Sequence, residues 1–179
     1  NVLPTGIPMG RFSGGDGLRF RERHGLSADQ PCVLFVGRVA FEKNIDFLIE
    51  SLSLARREVP NLILLITGEG PAKRALHRQA EALGLSEAVR FIGYPDRQHD
   101  LPDCYAAADG FVFASRTETQ GLVLLEAMAM GLPVVALAAM GTRDILSPGR
   151  GCLTPEDDVA AFAAAMVRLL CDPALRSRL

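Results

Sequence analysis

Short apolar runs recur along the chain at Cys32 to Val36, Leu62 to Thr67, Val89 to Ile92, Gly110 to Phe113 and Val134 to Leu137, with a weaker one at Gly151 to Leu153. Unbroken rather than alternating apolar character marks strands buried on both faces, so these read as parallel strands. Between them lie stretches of helical period: Ile45 to Arg57, Ala72 to Leu83, Pro102 to Ala108, Leu122 to Met130 and Asp157 to Leu170. The alternation predicts an α/β fold with a Rossmann-like, doubly wound, mostly parallel sheet of about six strands and helices on both faces. Punctuation agrees: Asn44 stands where it can cap Ile45 to Arg57, Pro71 where a first helical residue would, and Gly84 just past Leu83. Met9 to Asp16, inside a glycine-rich stretch, reads as a flexible lead-in, and Asp172-Pro173 as the start of a last helix.

One run invites a different reading. Leu122 to Met140 is apolar apart from Glu126, but Gly131 and Pro133 divide it, and a central carboxylate in a bilayer would cost about 2.5–3.5 kcal/mol. It is expected to be a buried helix followed by a buried strand, with no transmembrane segment. The first residues, Asn1 to Pro8, carry no initiator Met and no signal-peptide pattern, and read as cut from something longer.

Composition narrows the function. With 179 residues and 49% apolar content, one packed domain spanning 1–179 is expected. A formal charge of −2 without a basic run argues against nucleic acid, whose affinity rests on cations meeting phosphates. Cys32, Cys104, Cys152 and Cys171 stand far apart without a C-x-x-C, so neither zinc nor a disulfide framework is indicated, and a reducing, cytoplasmic setting fits. His24, His77 and His99 have no motif around them.

In an open α/β sheet ligands bind beyond the carboxyl ends of the strands, where the strand order reverses. For the order 3-2-1-4-5-6 that point faces the loops after the first and fourth strands. The first loop is Gly37-Arg38-Val39-Ala40-Phe41-Glu42-Lys43-Asn44 and the second Ala114-Ser115-Arg116-Thr117-Glu118-Thr119-Gln120-Gly121. Gly37 permits a sharp turn, leaving Arg38 and Lys43 beside a helix start as a natural anion site; taken alone, two solvated charges explain them as well. Glu126 is the lone polar side chain of an apolar helix, so it needs hydrogen-bond partners, which sugar hydroxyls or a structural partner would supply. Glu118 reads as a ligand contact or as a residue complementing the helix dipole. Gly68-Glu69-Gly70-Pro71 lacks a third glycine and reads first as a tight strand-to-helix turn.

Together, Phe35-Val36-Gly37-Arg38 with Glu42-Lys43-Asn44, Gly68-Glu69-Gly70-Pro71, Val89 to Tyr94, Ser115 to Leu122 and Leu125 to Ala136 resemble the C-terminal half of family-4 retaining glycosyltransferases of the GT-B type, from about Leu3 to Ala165. The resemblance implies a nucleoside-diphosphate-sugar donor, a UDP-sugar first and a GDP-sugar second, with no other cofactor and no metal. It implies that Arg38 and Lys43 hold the diphosphate and that Glu118, Thr119, Gln120, Gly121 and Leu122 meet the sugar. Glu126 would hold the ribose hydroxyls, Ile92, Gly93 and Tyr94 the base, and Gly37 and Gly68 would line the donor site. Catalytic work would fall to Arg38, Lys43 and Glu118, helped by the helix start after Gly121, in a retaining transfer to a hydroxyl.

Departures from the family pattern fall at Pro8, where an acidic residue is common, at Gln120 in place of an aromatic, and at Gly141-Thr142-Arg143-Asp144 in place of Gly-Gly-x-x-Glu. The Glu-Thr-Gln-Gly variant resembles lipid-glycosylating members, which implies a lipid or saccharide acceptor reached through an N-terminal half absent from this chain, and a parent enzyme peripheral at the inner membrane face. A nucleotide-sugar epimerase or sugar phosphorylase of the same architecture, a nicotinamide-dependent oxidoreductase and a non-catalytic nucleotide-binding module remain open at this point.

Overall fold

A computed structural model describes residues 6–12, 14–95, 100–146 and 150–179. Leu3, Thr5, Ser13 and His99 lie outside the described residues. Six parallel strands form one sheet: β1 (Cys32–Val36), β2 (Ile63–Thr67), β3 (Val89–Gly93), β4 (Gly110–Phe113), β5 (Val134–Ala136) and β6 (Cys152–Leu153). Their order is β3-β2-β1-β4-β5-β6. Every residue of β1, β2, β4 and β5 is buried, which is why these strands show unbroken apolar character. The registers Val36↔Thr67 and Leu34↔Phe111 set the carboxyl ends of β2 and β4 beside that of β1.

The helices are α1 (Gly17–Arg23), α2 (Ile45–Ala55), α3 (Lys73–Ala82), α4 (Asp100–Ala106), α5 (Leu122–Ala129), α6 (Val159–Cys171) and α7 (Pro173–Arg176). The crossovers from β1 through β3 run one way along the sheet and that from β4 to β5 the other, so crossovers of one hand put α2 and α3 on the face opposite α5. Consistently, α2 packs on α3 and α6, and α1 packs on α4. The doubly wound fold expected from the pattern is the one observed. The run from Leu122 to Met140 divides as expected into α5 and β5, with Gly131 in the turn between them. No helix among the described residues is long and apolar enough to cross a membrane.

Three local expectations are corrected. Asn44 precedes α2 but makes no cap: it adopts the left-handed conformation (φ 56°) and turns its side chain toward β4. Pro71 lies in the turn before α3, which begins two residues later at Lys73. The lead-in is more ordered than its glycines imply. Asp16 accepts a hydrogen bond from the Arg19 amide at 2.9 Å and caps α1, a helix the apolar pattern does not reveal. Gly17 stands there for proximity, because a Cβ would lie 2.3 Å from the Ala106 carbonyl oxygen. Arg19 then reaches back to Asp103, and Arg21 donates to the Ala107, Ser27 and Gln30 carbonyls, locking α1 onto the end of α4. Gly84 ends α3 in the left-handed region, and Asp172 caps α7, both as expected.

Candidate functional site

The strand order reverses between β1 and β4, and the two polar loops meet there. The first loop contains a single turn of 3₁₀ helix, Phe41–Lys43, closed by Asn44. Asparagine tolerates the left-handed region far better than a β-branched residue would, and here its side chain is also used. Asn44 Nδ2 donates to the Ala114 carbonyl at 3.1 Å, and Arg116 donates to Asn44 Oδ1 at 3.3 Å. From the second loop, the Ser115 and Thr117 hydroxyls donate to the Glu42 carbonyl at 3.2 and 3.4 Å. Arg116 also forms a bidentate pair with Asp157 just before α6, at 2.6 and 2.7 Å. The two loops therefore hold each other as one body.

Lys43 and Glu118 close this junction. Lys43 Nζ donates to Glu118 Oε2 at 2.8 Å, with side-chain exposures of 21% and 18%. The other oxygen, Oε1, accepts from the amides of Thr119, Gln120 and Gly121 at 3.2, 3.3 and 3.3 Å. Burial opposes ionisation of Glu118, but the Lys43 ammonium and the Gln120 and Gly121 amides outweigh it and hold the carboxyl below its ordinary pKa. Gly121, in the left-handed conformation, leads into α5, whose first residue Leu122 is half-buried. The Gly141 amide donates to the Glu118 carbonyl at 3.1 Å, so the loop after β5 supports the same corner.

Beside this junction a cleft of about 480 Å³ is lined by Val36, Gly37, Arg38, Thr67, Gly68, Tyr94, Pro95, Leu101 and Val123. Its floor is made by the tips of β1 to β3. The Gly37 amide donates to Thr67 and the Gly68 amide to Gly93, drawing the three strand ends together. Gly68 is required there: its φ is 134°, and a Cβ would lie 2.0 Å from the Gly37 carbonyl oxygen. The tight-turn reading of this segment thus holds, and it places Gly68 on the cleft. Arg38 projects with 65% side-chain exposure and meets Glu42 only at 3.9 Å. Tyr94 is 73% exposed on the rim, its hydroxyl 3.4 Å from the Glu69 carbonyl.

The structure brings Gly37, Arg38, Gly68 and Tyr94 to the cleft and sets Gly93 at its floor. Lys43, Glu118, Thr119, Gln120 and Gly121 gather at the adjoining corner, outside the cleft lining. Ile92 is half-buried and packs against the core. Glu126 is buried inside α5 at 7% exposure and accepts a 2.8 Å hydrogen bond from the hydroxyl of Tyr105, itself 1% exposed. The Tyr105 phenol is thus a structural partner of Glu126. Asp144 is exposed at the end of a 3₁₀ helix, Met140–Asp144. Among the described residues no three His, Cys, Asp or Glu side chains come together as a metal set.

Sequence reasoning misses Asn44 as a bridge, Tyr105 as the partner of Glu126, and Thr67, Leu101 and Val123 as cleft walls. For Tyr105 a signal existed: a buried phenol and a buried carboxylate each need a partner.

A doubly wound sheet whose switch-point loops set Lys43 against Glu118 beside a cleft that Arg38 lines is an open α/β domain with its polar loops gathered at the strand tips. Residues 18–179 match the family model described as glycosyl transferases group 1. The chain belongs to that family. A GDP-mannose-dependent alpha-(1-6)-phosphatidylinositol monomannoside mannosyltransferase from Mycolicibacterium smegmatis is 38% identical over 182 residues, covering 96% of this chain and 47% of its own length. Sucrose-phosphate synthase from Thermosynechococcus elongatus superposes with a TM-score of 0.84 at 30% identity, over 99% of this chain and 45% of the other. HepE of Anabaena, solved with UDP-glucose, gives a TM-score of 0.82 at 26% identity, over 97% of this chain and 48% of the other. The chain thus spans about half the length of the relatives it matches.

Proposed function

We propose that this chain is the donor-binding half of a retaining hexosyltransferase, a single domain over residues 1–179 that holds a nucleoside-diphosphate sugar. The observation that carries this reading is the interlocking of the loops after β1 and β4, which sets Lys43 against Glu118 at 2.8 Å beside the cleft that Arg38 enters. The matching relatives support this substrate class: one is named for GDP-mannose, and another was solved with UDP-glucose.

In this reading Arg38 and Lys43 neutralise the charge that grows on the diphosphate as the glycosidic bond breaks, aided by the amides leading into α5. Glu118, Thr119, Gln120, Gly121 and Leu122 meet the sugar, Glu126 the ribose hydroxyls, and Ile92, Gly93 and Tyr94 the base. Gly37 and Gly68 let backbone approach the ligand closely. The donor is a UDP-sugar or a GDP-sugar, with no cofactor besides. The acceptor is a lipid or a saccharide hydroxyl presented by a second half of the enzyme, which works in the cytoplasm or at the inner face of the membrane.

Titration calorimetry with UDP and GDP tests the reading. Charge-assisted hydrogen bonds contribute about 1.5–3 kcal/mol each, so Arg38→Ala with Lys43→Ala is expected to weaken binding by roughly 10²–10⁴. Unchanged affinity in the double variant removes the diphosphate site.

A further inference from the structure

Glu118 already holds what an incoming diphosphate would need. One oxygen has the Lys43 ammonium at 2.8 Å; the other faces the amides of Thr119, Gln120 and Gly121 at 3.2–3.3 Å. The first turn of α5 has no acidic residue of its own, so Glu118 is the anion at the positive end of that helix. An ammonium together with a row of amides before a helix is also the partner set that a phosphoryl group takes. The pair is four-fifths buried, so neither partner has full access to water in exchange for the other. Arg38 differs, since its carboxylate neighbour Glu42 is 3.9 Å away and both are well exposed.

We propose that Glu118 sets the preference of this site for a nucleoside-diphosphate sugar over the free nucleoside diphosphate. It rests on the reading in which Lys43 holds the diphosphate and Glu118 meets the sugar. A free nucleoside diphosphate that takes Lys43 leaves Glu118 partly buried with one partner fewer, and that loss is charged against its affinity. A donor takes Lys43 in the same way, but its sugar hydroxyls donate to the released carboxylate. The exchange is balanced only when the sugar is attached. Transfer of the sugar removes those hydroxyls, Glu118 recaptures Lys43, and the product is expelled. Glu118 therefore weakens the binding of one ligand and strengthens that of another through the same carboxylate.

The test is calorimetry on this chain with UDP, GDP, UDP-glucose and GDP-mannose. The base that binds more tightly is used throughout. Replacing one partner of this four-fifths-buried ion pair by a neutral isostere frees the other, so Glu118→Gln is expected to tighten the free diphosphate by about fivefold to tenfold. The donor-to-product affinity ratio should fall to about one in the same variant. Glutamine keeps an oxygen for the loop amides, and a melting curve verifies the fold; should it fail to fold, Glu118→Asp, one methylene shorter and so paired less closely with Lys43, is expected to shift in the same direction by a smaller factor.

A bare reduction of negative charge would tighten the diphosphate in any background. Exchange through Lys43 would not, and in Lys43→Ala the further change Glu118→Gln should gain less than about twofold. Glu42→Gln, beside the exposed Arg38, should change affinity by less than about twofold as well. Equal gains with and without Lys43, or a Glu118→Gln variant that binds the free diphosphate no better than wild type, overturn the proposal. If Lys43→Ala still weakens the diphosphate in that case, the donor reading stands without it. Indifference to Lys43→Ala and Arg38→Ala overturns both.

Discussion

Removal of a single oxygen, in Tyr105→Phe, separates the structural from the ligand-binding duty of Glu126. The Tyr105 ring packs edge-on to Phe12 with centroids 6.2 Å apart and tilted on Phe111 at 5.9 Å, contacts a phenylalanine keeps. What is lost is the 2.8 Å bond to Glu126 Oε2 between two buried side chains. Losing one hydrogen bond between buried groups costs about 1–3 kcal/mol. For a chain of this size about 1 kcal/mol lowers the melting temperature by roughly 2–4 °C, so a drop of roughly 2–12 °C is expected in differential scanning fluorimetry. Ligand binding supplies the second readout. If Tyr105 also aims the carboxylate at ribose, Tyr105→Phe weakens UDP or GDP by about threefold to tenfold and leaves inorganic pyrophosphate unchanged, because pyrophosphate has no ribose to report the error. A melting temperature within about 1 °C of wild type refutes the assigned bond energy. Equal weakening of nucleotide and pyrophosphate refutes the positioning role and assigns Tyr105 to stability alone.

The lowered pKa of Glu118 carries a signed pH dependence. A depressed carboxyl stabilises the fold above its unfolded value of about 4.3 and loses that contribution as the pH falls through the folded value, so the stability gap between wild type and Glu118→Gln should hold from about pH 7 to about pH 5 and close below about pH 4. Thermal melts across that range check it, and a gap indifferent to pH removes the electrostatic account. At the cleft floor, Gly68→Ala should lower stability by more than about 3 kcal/mol in urea denaturation, since it combines an unfavourable φ with a Cβ 2.0 Å from a carbonyl oxygen. A variant as stable as wild type would mean that the three strand ends separate at little cost.

The sheet was legible because its signal is redundant. Four buried strands of three to five residues each carry a continuous apolar run, and helical periods separate them, so strand order and handedness follow with few alternatives. α1 was illegible for the opposite reason. Gly15 and Gly17, read as freedom, are there because the backbone comes within contact of Pro102 and Ala106 on α4. Glycine for approach and glycine for mobility look identical in a sequence, and only the partner surface tells them apart.

The candidate site divides along the same line. Arg38, Lys43, Glu118 and Glu126 were legible as residue types at the switch point, since topology alone brings the loops after β1 and β4 together. Their pairing was not, because it depends on distances between residues 75 apart in the chain in one case and 21 in the other. The pairing changes what each residue can do. Lys43 read alone is a free cation, whereas Lys43 held by Glu118 must give up one anion to take another. Asn44 makes that competition local: its left-handed backbone ends the short helix that carries Lys43, and its side chain fastens the loop to Ala114 and Arg116, so the Lys43 backbone is fixed and only its side chain adjusts to an incoming ligand. A diphosphate therefore meets Lys43 where the loop holds it, and Glu118, kept in place by the Thr119, Gln120 and Gly121 amides, is left behind as a carboxylate that has lost its ammonium.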